Sequence, residues 1–264
     1  MNAKYLSLNV ENRVATVLLN RHDKGNALSP DVLGELGDLF EHLDSRPDVS
    51  VIILTGGEKM FSAGFDLDFL KTVRKGANEA FTALFHRAYR AIMFCSQPVI
   101  AAVGGPAMAG GFDLTLMCDI RYASERAKFS QREITLSLTP ILDPLWRVIG
   151  LGAAKEWALT GKIIDAQEAF RLGYVSQVFP EGTVVEKVTA IAREMASYDR
   201  TCLMETKRLS IDLLHNSLDG SLRIQEWLFR TYVGSEDNHS RIDSLLEKIR
   251  ASKKKQSPAS TETF

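Results

Sequence analysis

Residues 104–113 read GGPAMAGGFD and stand between the apolar run PVIAAV and a second apolar segment, LTLMCDI. Four glycines in eight residues are costly to order, because glycine loses more backbone freedom on folding than any other residue. Between two buried elements such a stretch implies either a strained turn or a place where something must touch bare main chain. A second small-residue loop, FSAGFDL at 61–67, follows the run VSVIILTG at 49–56 in the same way. The two apolar runs predict two strands, each delivering an exposed backbone turn. As neighbours in one sheet they would aim an N–H from each turn at a single oxygen, with the helix starting near Gly110 adding its positive end.

The rest of the chain repeats a grammar of strand, loop and helix. Residues 4–19 alternate in the strand sense on either side of Glu11-Asn12 and predict an opening hairpin. Ser29-Pro30-Asp31 predicts a capped helix with proline at its first position. A helix is expected from about 78 to 96, a loop from 124 to 143, and helices near 144–160. Asp165 heads a helix closing at Gly173, and VSQVF at 175–179 reads as the last strand. Everything from 181 onward is helical in pattern until the tail ASKKKQSPASTETF, too polar to bury enough surface to order itself.

Phosphate loops do not fit. Gly105 and Gly110 have the Walker separation, but Gly111-Phe112 occupies the place of Lys-Ser/Thr, and no Gly-x-Gly-x-x-Gly follows a strand. No Gly-x-Ser-x-Gly elbow is present. A formal net charge of -1 gives no global basic field, which argues against nucleic acid and anionic membrane as partners. Cys95, Cys118 and Cys202 lack metal-ligand spacing and read as thiols in a reducing compartment, with no metal site. No leader-like or membrane-spanning apolar run occurs, so a cytoplasmic protein is expected.

FSAGFDL, PVIAAVGGPAMAGGFDLTLMCDIRYAS, AKFSQREI and LTGKIIDAQEAFRLGYVSQVFP together resemble the enoyl-CoA hydratase/isomerase (crotonase) family over roughly residues 10–250. The resemblance implies an α/β fold with a ββα spiral core over 1–200, a helical oligomerisation region over 201–251 building a homotrimer or hexamer, and an unstructured tail over 252–264. It implies an acyl-CoA substrate, a thioester enolate held in an oxyanion hole, and no cofactor beyond coenzyme A itself. The donors would be the backbone N–H groups of Phe65 and Gly110, with Gly111 and Ala109 keeping the approach clear.

Hydratases of the family use two glutamates, one activating water and one exchanging the Cα proton. The second falls on Glu133; the first falls on Asp113, an aspartate. One methylene fewer draws the carboxylate back by about 1 Å, a displacement that can cost on the order of a hundredfold in rate. Hydration of a 2-enoyl-CoA is the leading expectation. Double-bond isomerisation by Glu133 alone is the alternative, and a non-catalytic binding member of the family a remote one. By the same resemblance Lys24, Ala63, Asp66 and Lys248 would meet coenzyme A, although solvated lysines on a loop and a helix surface account equally for Lys24 and Lys248. The family's basic residue three past the first donor is Asp68 here. Asp143-Pro144 reads as a helix cap, or alternatively as a third acid; Leu142, Leu145 and Trp146 wall the acyl pocket or pack in the core. The five histidines read as surface or packing residues.

Overall fold

A computed structural model describes residues 3–212 and 216–256, with side chains to 251. The chain opens with β1 (Leu6–Glu11) and β2 (Val14–Leu19), an antiparallel pair. The turn between them is Asn12-Arg13, one residue later than expected, because both residues take left-handed φ values of 51° and 64° that suit a tight hairpin. Then come α1 (Pro30–Asp44), β3 (Val51–Thr55), the single turn α2 (Leu67–Leu70), α3 (Glu79–Phe94) and β4 (Val99–Val103). Ser29 Oγ accepts from the Val32 N–H, so the expected cap at α1 is present.

After β4 follow β5 (Ala107–Met108), α4 (Gly110–Leu116), β6 (Ile120–Ser124) and β7 (Lys128–Ser130). The loop expected over 124–143 therefore contains a strand, and after it a 3-10 segment, Arg132–Leu136. Strand β7 forms because Ala107 and Met108 offer a short edge to pair Phe129 and Ser130. The chain continues through α5 (Leu145–Ile149), α6 (Leu151–Thr160), β8 (Ile164–Asp165) and α7 (Ala166–Arg171), the last capped by Asp165 accepting from the Glu168 N–H at 2.8 Å. Strand β9 (Gln177–Phe179) and α8 (Val184–Ala196) come next, then α9 (Arg200–Asp212), α10 (Leu218–Tyr232) and α11 (Glu236–Gln256).

Within the described residues the main sheet runs β1-β2-β3-β4-β6-β9, parallel from β2 onward, and a small sheet runs β5-β7-β8. Strands β3 and β4 are buried at every residue. Ile52, Leu54, Val99, Ala101 and Val103 face the large cluster containing α1 and α3; Val51, Ile53, Ile100 and Ala102 face Val184, Val188, Ala192 and Ala196 of α8. Both faces are covered, which explains apolar runs without alternation. Ile53 pairs Ile100 and Thr55 pairs Ala102, so the two strands end side by side and release their loops at one sheet edge.

The chain divides between Lys207 and Arg208. Lys207 holds the first unit's end in place of the 200/201 boundary expected from sequence: its Nζ lies buried, 2.9 Å from the Asp119 carboxylate and 3.1 Å from Gln97 O. In the second unit Ser217 caps α10, and pairs such as Arg223–Asp219 and Arg241–Asp237 lie along the helices at i,i+4 spacing. Helix α11 reaches Gln256, into the stretch expected to lack structure from 252; residues 257–264 lie outside the described residues, as do Leu213 and His215.

The glycines carry this arrangement. A Cβ on Gly105 would sit 2.0 Å from Lys59 O, and one on Gly104 2.3 Å from Gly57 O. Gly105→Ala should therefore cost about 1–3 kcal/mol in urea unfolding through overpacking of main chain against main chain. Gly152→Ala, in α6 with open space around it, should instead gain about 0.5–1 kcal/mol. Equal midpoints for the two variants would show that the seam is not rigid.

Candidate functional site

Three loops meet at the edge where β3 and β4 end. The first, 21–28, places the Asn26 side chain, 1% exposed, against the second: its amide donates to Phe61 O at 3.0 Å and Met60 O at 3.2 Å, and its oxygen accepts from Arg21 N at 3.0 Å. Ser62 Oγ donates to Asn26 O at 2.8 Å and accepts from Gly64 N. The third loop is stitched on by Met108 N to Ser62 O, 2.9 Å, and by Phe61 N to Pro106 O, 3.0 Å. A buried asparagine satisfied in this way fixes a loop as a ladder fixes a strand.

This stitching brings the two expected donors together. Gly64 has φ +94°, and a Cβ there would fall 2.7 Å from Met108 O and 3.2 Å from Gly110 N. The loop carrying Phe65 N–H thus lies against the start of α4. Neither the Phe65 nor the Gly110 N–H has an acceptor among the described residues. Ala109 takes φ 48°, ψ -126°, a sparsely populated conformation for a residue with a side chain, which turns the chain so that α4 begins at Gly110. Gly111 does not clear the cavity as expected. Its missing Cβ faces Ser62 at 2.5 Å from the carbonyl oxygen, so it serves contact between the loops.

Beside these groups is a cavity of about 320 Å³ whose walls include Ala63, Phe65, Leu67, Met108, Ala109 and Glu133. Glu133 is delivered by β7: Ala109 N donates to Ser130 O at 2.8 Å, and the chain turns at Gln131 into the 3-10 segment. Both Glu133 carboxyl oxygens are buried without a partner among the described residues, and burial pushes its pKa up to about 7. Asp113 is 2% exposed and does not line the cavity. Burial, and then the charge of Glu133, holds its carboxyl well above the usual carboxylate range. Its Oδ2 lies 3.4 Å from the hydroxyl of Tyr89 on α3.

The remaining expected residues separate. Ala63 lines the cavity, its N–H bonded to Gly25 O. The Asp66 carboxylate is occupied by Arg21 at 2.6 Å and by the Phe69 N–H, and Arg21 holds its pKa low. Asp66 thus holds its own loop, which does not support a coenzyme contact through that side chain. Lys24, half exposed, faces Asp68 at 4.0 Å. Lys248 is exposed on α11 in the second unit. Asp143 does not cap α5, whose first turn starts after Pro144; its carboxylate pairs instead with Arg147 one turn later, at 2.8 Å, and Arg147 lowers its pKa. Leu145 is fully buried in the core, while Leu142 and Trp146 are partly exposed and outside the cavity walls.

Tyr89 and Asn26 were not singled out from sequence. Tyr89 follows Phe81, Phe85 and Ala88 on the apolar face of α3, where a tyrosine reads as packing. Asn26 sits in a polar loop, where asparagine signals a turn.

These features define a class: crotonase-fold α/β proteins, with a cleft bounded by two strand-following loops and a buried glutamate. The chain belongs to the enoyl-CoA hydratase/isomerase family, whose model matches residues 9–256. It is 33% identical over 248 residues to the crotonyl-CoA hydratase of Syntrophomonas wolfei, covering 92% of this chain and 95% of that one. It is 31% identical to the short-chain-enoyl-CoA hydratase of Clostridium acetobutylicum, covering 94% and 97%. The crystal structure of an enoyl-CoA hydratase from Bacillus anthracis superposes with a TM-score of 0.84 at 31% identity, covering 97% of this chain and 98% of that one. No helix among the described residues is long and apolar enough to cross a membrane.

The raised pKa of Glu133 makes stability depend on pH. Its folded value of about 7 exceeds its ordinary 4.5, so between these values the folded state holds a proton that the unfolded state has lost. Stability should therefore be full below pH 4.5, as far as this group goes, and fall as pH rises toward 7. Glu133→Gln should flatten that slope in a series of thermal melts. A slope unchanged by the substitution would show that Glu133 ionises as it does in water.

Proposed function

We propose that the chain adds water across the double bond of a 2-enoyl-CoA thioester. The observation that carries this reading is that Phe65, whose N–H is unengaged, and the unpartnered buried carboxyl of Glu133 line one cavity with Ala109, after which Gly110 presents a second unengaged N–H among the described residues. The thioester oxygen would accept from both N–H groups, which are worth most where charge develops in a dry site. The ionised form of Asp113 would take a proton from water as the hydroxyl bonds to C3, with Glu133 in its protonated form. Electrons would move into the thioester as an enolate, and Glu133 would return a proton to C2. The relatives named crotonyl-CoA and short-chain-enoyl-CoA hydratase support the substrate class.

One observation favours a second reading. Glu133 faces the cavity, whereas Asp113 stands back and is bonded to Tyr89. A single carboxyl that carries a proton from C2 to C4 suffices to shift a double bond without water, so isomerisation of a 3-enoyl-CoA uses what lines the cavity.

We read the chain as needing no cofactor beyond its thioester substrate, since two N–H groups suffice to polarise the carbonyl, and a chelator should leave turnover unchanged. Its three free cysteines suit a cytoplasmic setting. A second-unit helical region that oligomerises into a trimer or hexamer is supported by exposed Leu218, Trp227, Phe229 and Leu245. Light scattering at micromolar concentration should find no active monomer.

Incubation with 2-enoyl-, 3-enoyl- and saturated CoA thioesters in heavy-oxygen water, followed by mass spectrometry, separates the readings. Label uptake by a 2-enoyl substrate is the expected result; rearrangement of a 3-enoyl substrate without label would replace hydration by isomerisation. Glu133→Gln should bind acyl-CoA nearly as the wild type does and lose most turnover. Asp113→Asn should lower hydration by roughly a hundredfold or more, in the range that an acid–base group contributes. Full hydration by Asp113→Asn would refute the two-acid scheme.

A further inference from the structure

Tyr89 places a hydroxyl in a part of the core closed to water, 3% exposed. Its Oη lies 3.1 Å from Gly110 O and 3.4 Å from Asp113 Oδ2. Phenylalanine would supply the same ring contact with Phe85, at 5.6 Å between centroids. A hydroxyl sealed from solvent costs free energy unless its bonds are made, so packing alone does not account for it. The absence of a side chain at Gly110 is what admits it: a Cβ there would come within 3.2 Å of Oη.

A phenol has one hydrogen and can donate to only one of these oxygens at a time. With Asp113 ionised, that hydrogen belongs on Oδ2, the charged acceptor. With Asp113 protonated at Oδ2, the carboxyl donates to Tyr89 Oη, and the phenol hydrogen goes to Gly110 O. The charge state of Asp113 therefore selects whether the carbonyl of Gly110, the residue that follows Ala109 of the cavity wall, accepts the phenol hydrogen.

We propose that Tyr89 is a positioning residue that holds the Asp113 carboxyl in its set-back place and couples its ionisation to the seating of Gly110. This deepens the hydratase reading and rests on it. The groups that face Asp113 are few. From the 3-10 segment comes Glu133, whose charge opposes ionisation; the neutral Gln131 before it donates its amide to Ile141 O, and Tyr174, which follows α7, is also within reach of the Asp113 charge. No cation is among them; Oδ2 of Asp113 meets Tyr89, while Oδ1 is buried without a partner among the described residues, which leaves Tyr89 as the donor that favours the carboxylate.

The test is the titration of Asp113 itself, followed by NMR in protein labelled with carbon-13 at the aspartate carboxyls and assigned with Asp113→Asn. In Tyr89→Phe the Asp113 resonance should titrate at higher pH than in the wild type, because a donor to the ionised form is lost. Replacing Tyr89 by 3-fluorotyrosine, a stronger donor of nearly the same shape, should move it the other way. On crotonyl-CoA, Tyr89→Phe should lower kcat about tenfold, the rate equivalent of a typical lost hydrogen bond, with KM within about twofold. The pH profile of kcat/KM should shift in the same direction as the resonance. An Asp113 titration unmoved in a folded Tyr89→Phe, or moved the same way by both replacements, overturns the proposal. A wild type that fails to hydrate crotonyl-CoA defeats the functional reading instead, while the titration still decides the coupling.

Discussion

Main chain pressed against main chain is the contact on which the rest of this structure depends. Where β3 and β4 end, Gly104 and Gly105 lie against residues 57–60, Gly111 against Ser62 and Gly64 against Met108, each closer than a Cβ would permit. Bare backbones at that distance form hydrogen bonds that side chains would hold apart, and Met108 N to Ser62 O is one of them. The seam is possible because the parent strands are adjacent and in register, and they are adjacent because both faces of the sheet are covered by helices. Core packing thus reaches the cavity through four residues that have no side chain at all.

The elements around the seam are held by buried polar contacts rather than by exposed ion pairs. Asn26 ties the first loop to the second. Arg121, 8% exposed, donates to Cys118 O at 2.6 Å and to Tyr174 O at 2.7 Å, which anchors the far end of α4. Each such group carries a desolvation cost that only full satisfaction offsets, so a small displacement anywhere in the set is penalised. The two acids of the site are not satisfied in this way: both carboxyl oxygens of Glu133, and Oδ1 of Asp113, are buried and unmet among the described residues. Burial brings the pKa of Glu133 to about 7, so that near neutral pH acid and carboxylate are both present and a proton can be given or taken.

The pair Asp113 and Glu133 also shows why residue type and residue role separate. Both are buried acids, but one borders the cavity and the other is outside its walls, bonded to a phenol.

The sequence by itself determined the strand-loop-helix order, the two small-residue loops, the caps at Ser29 and Asp165, and the candidate acid Glu133. These are local or regularly spaced features, and local propensity and periodicity record them. The tertiary structure alone decided what each loop residue faces. Gly111 meets Ser62, forty-nine positions earlier, and Asp66 is taken up by Arg21, forty-five positions earlier. Tyr89, on a helix face patterned like any apolar stripe, reaches Asp113. Asp143, spaced like a cap, finds Arg147 instead. A side chain's partner across such distances depends on how the sheet stacks its helices, and no periodicity along the chain encodes which of two neighbouring oxygens a buried hydroxyl will meet.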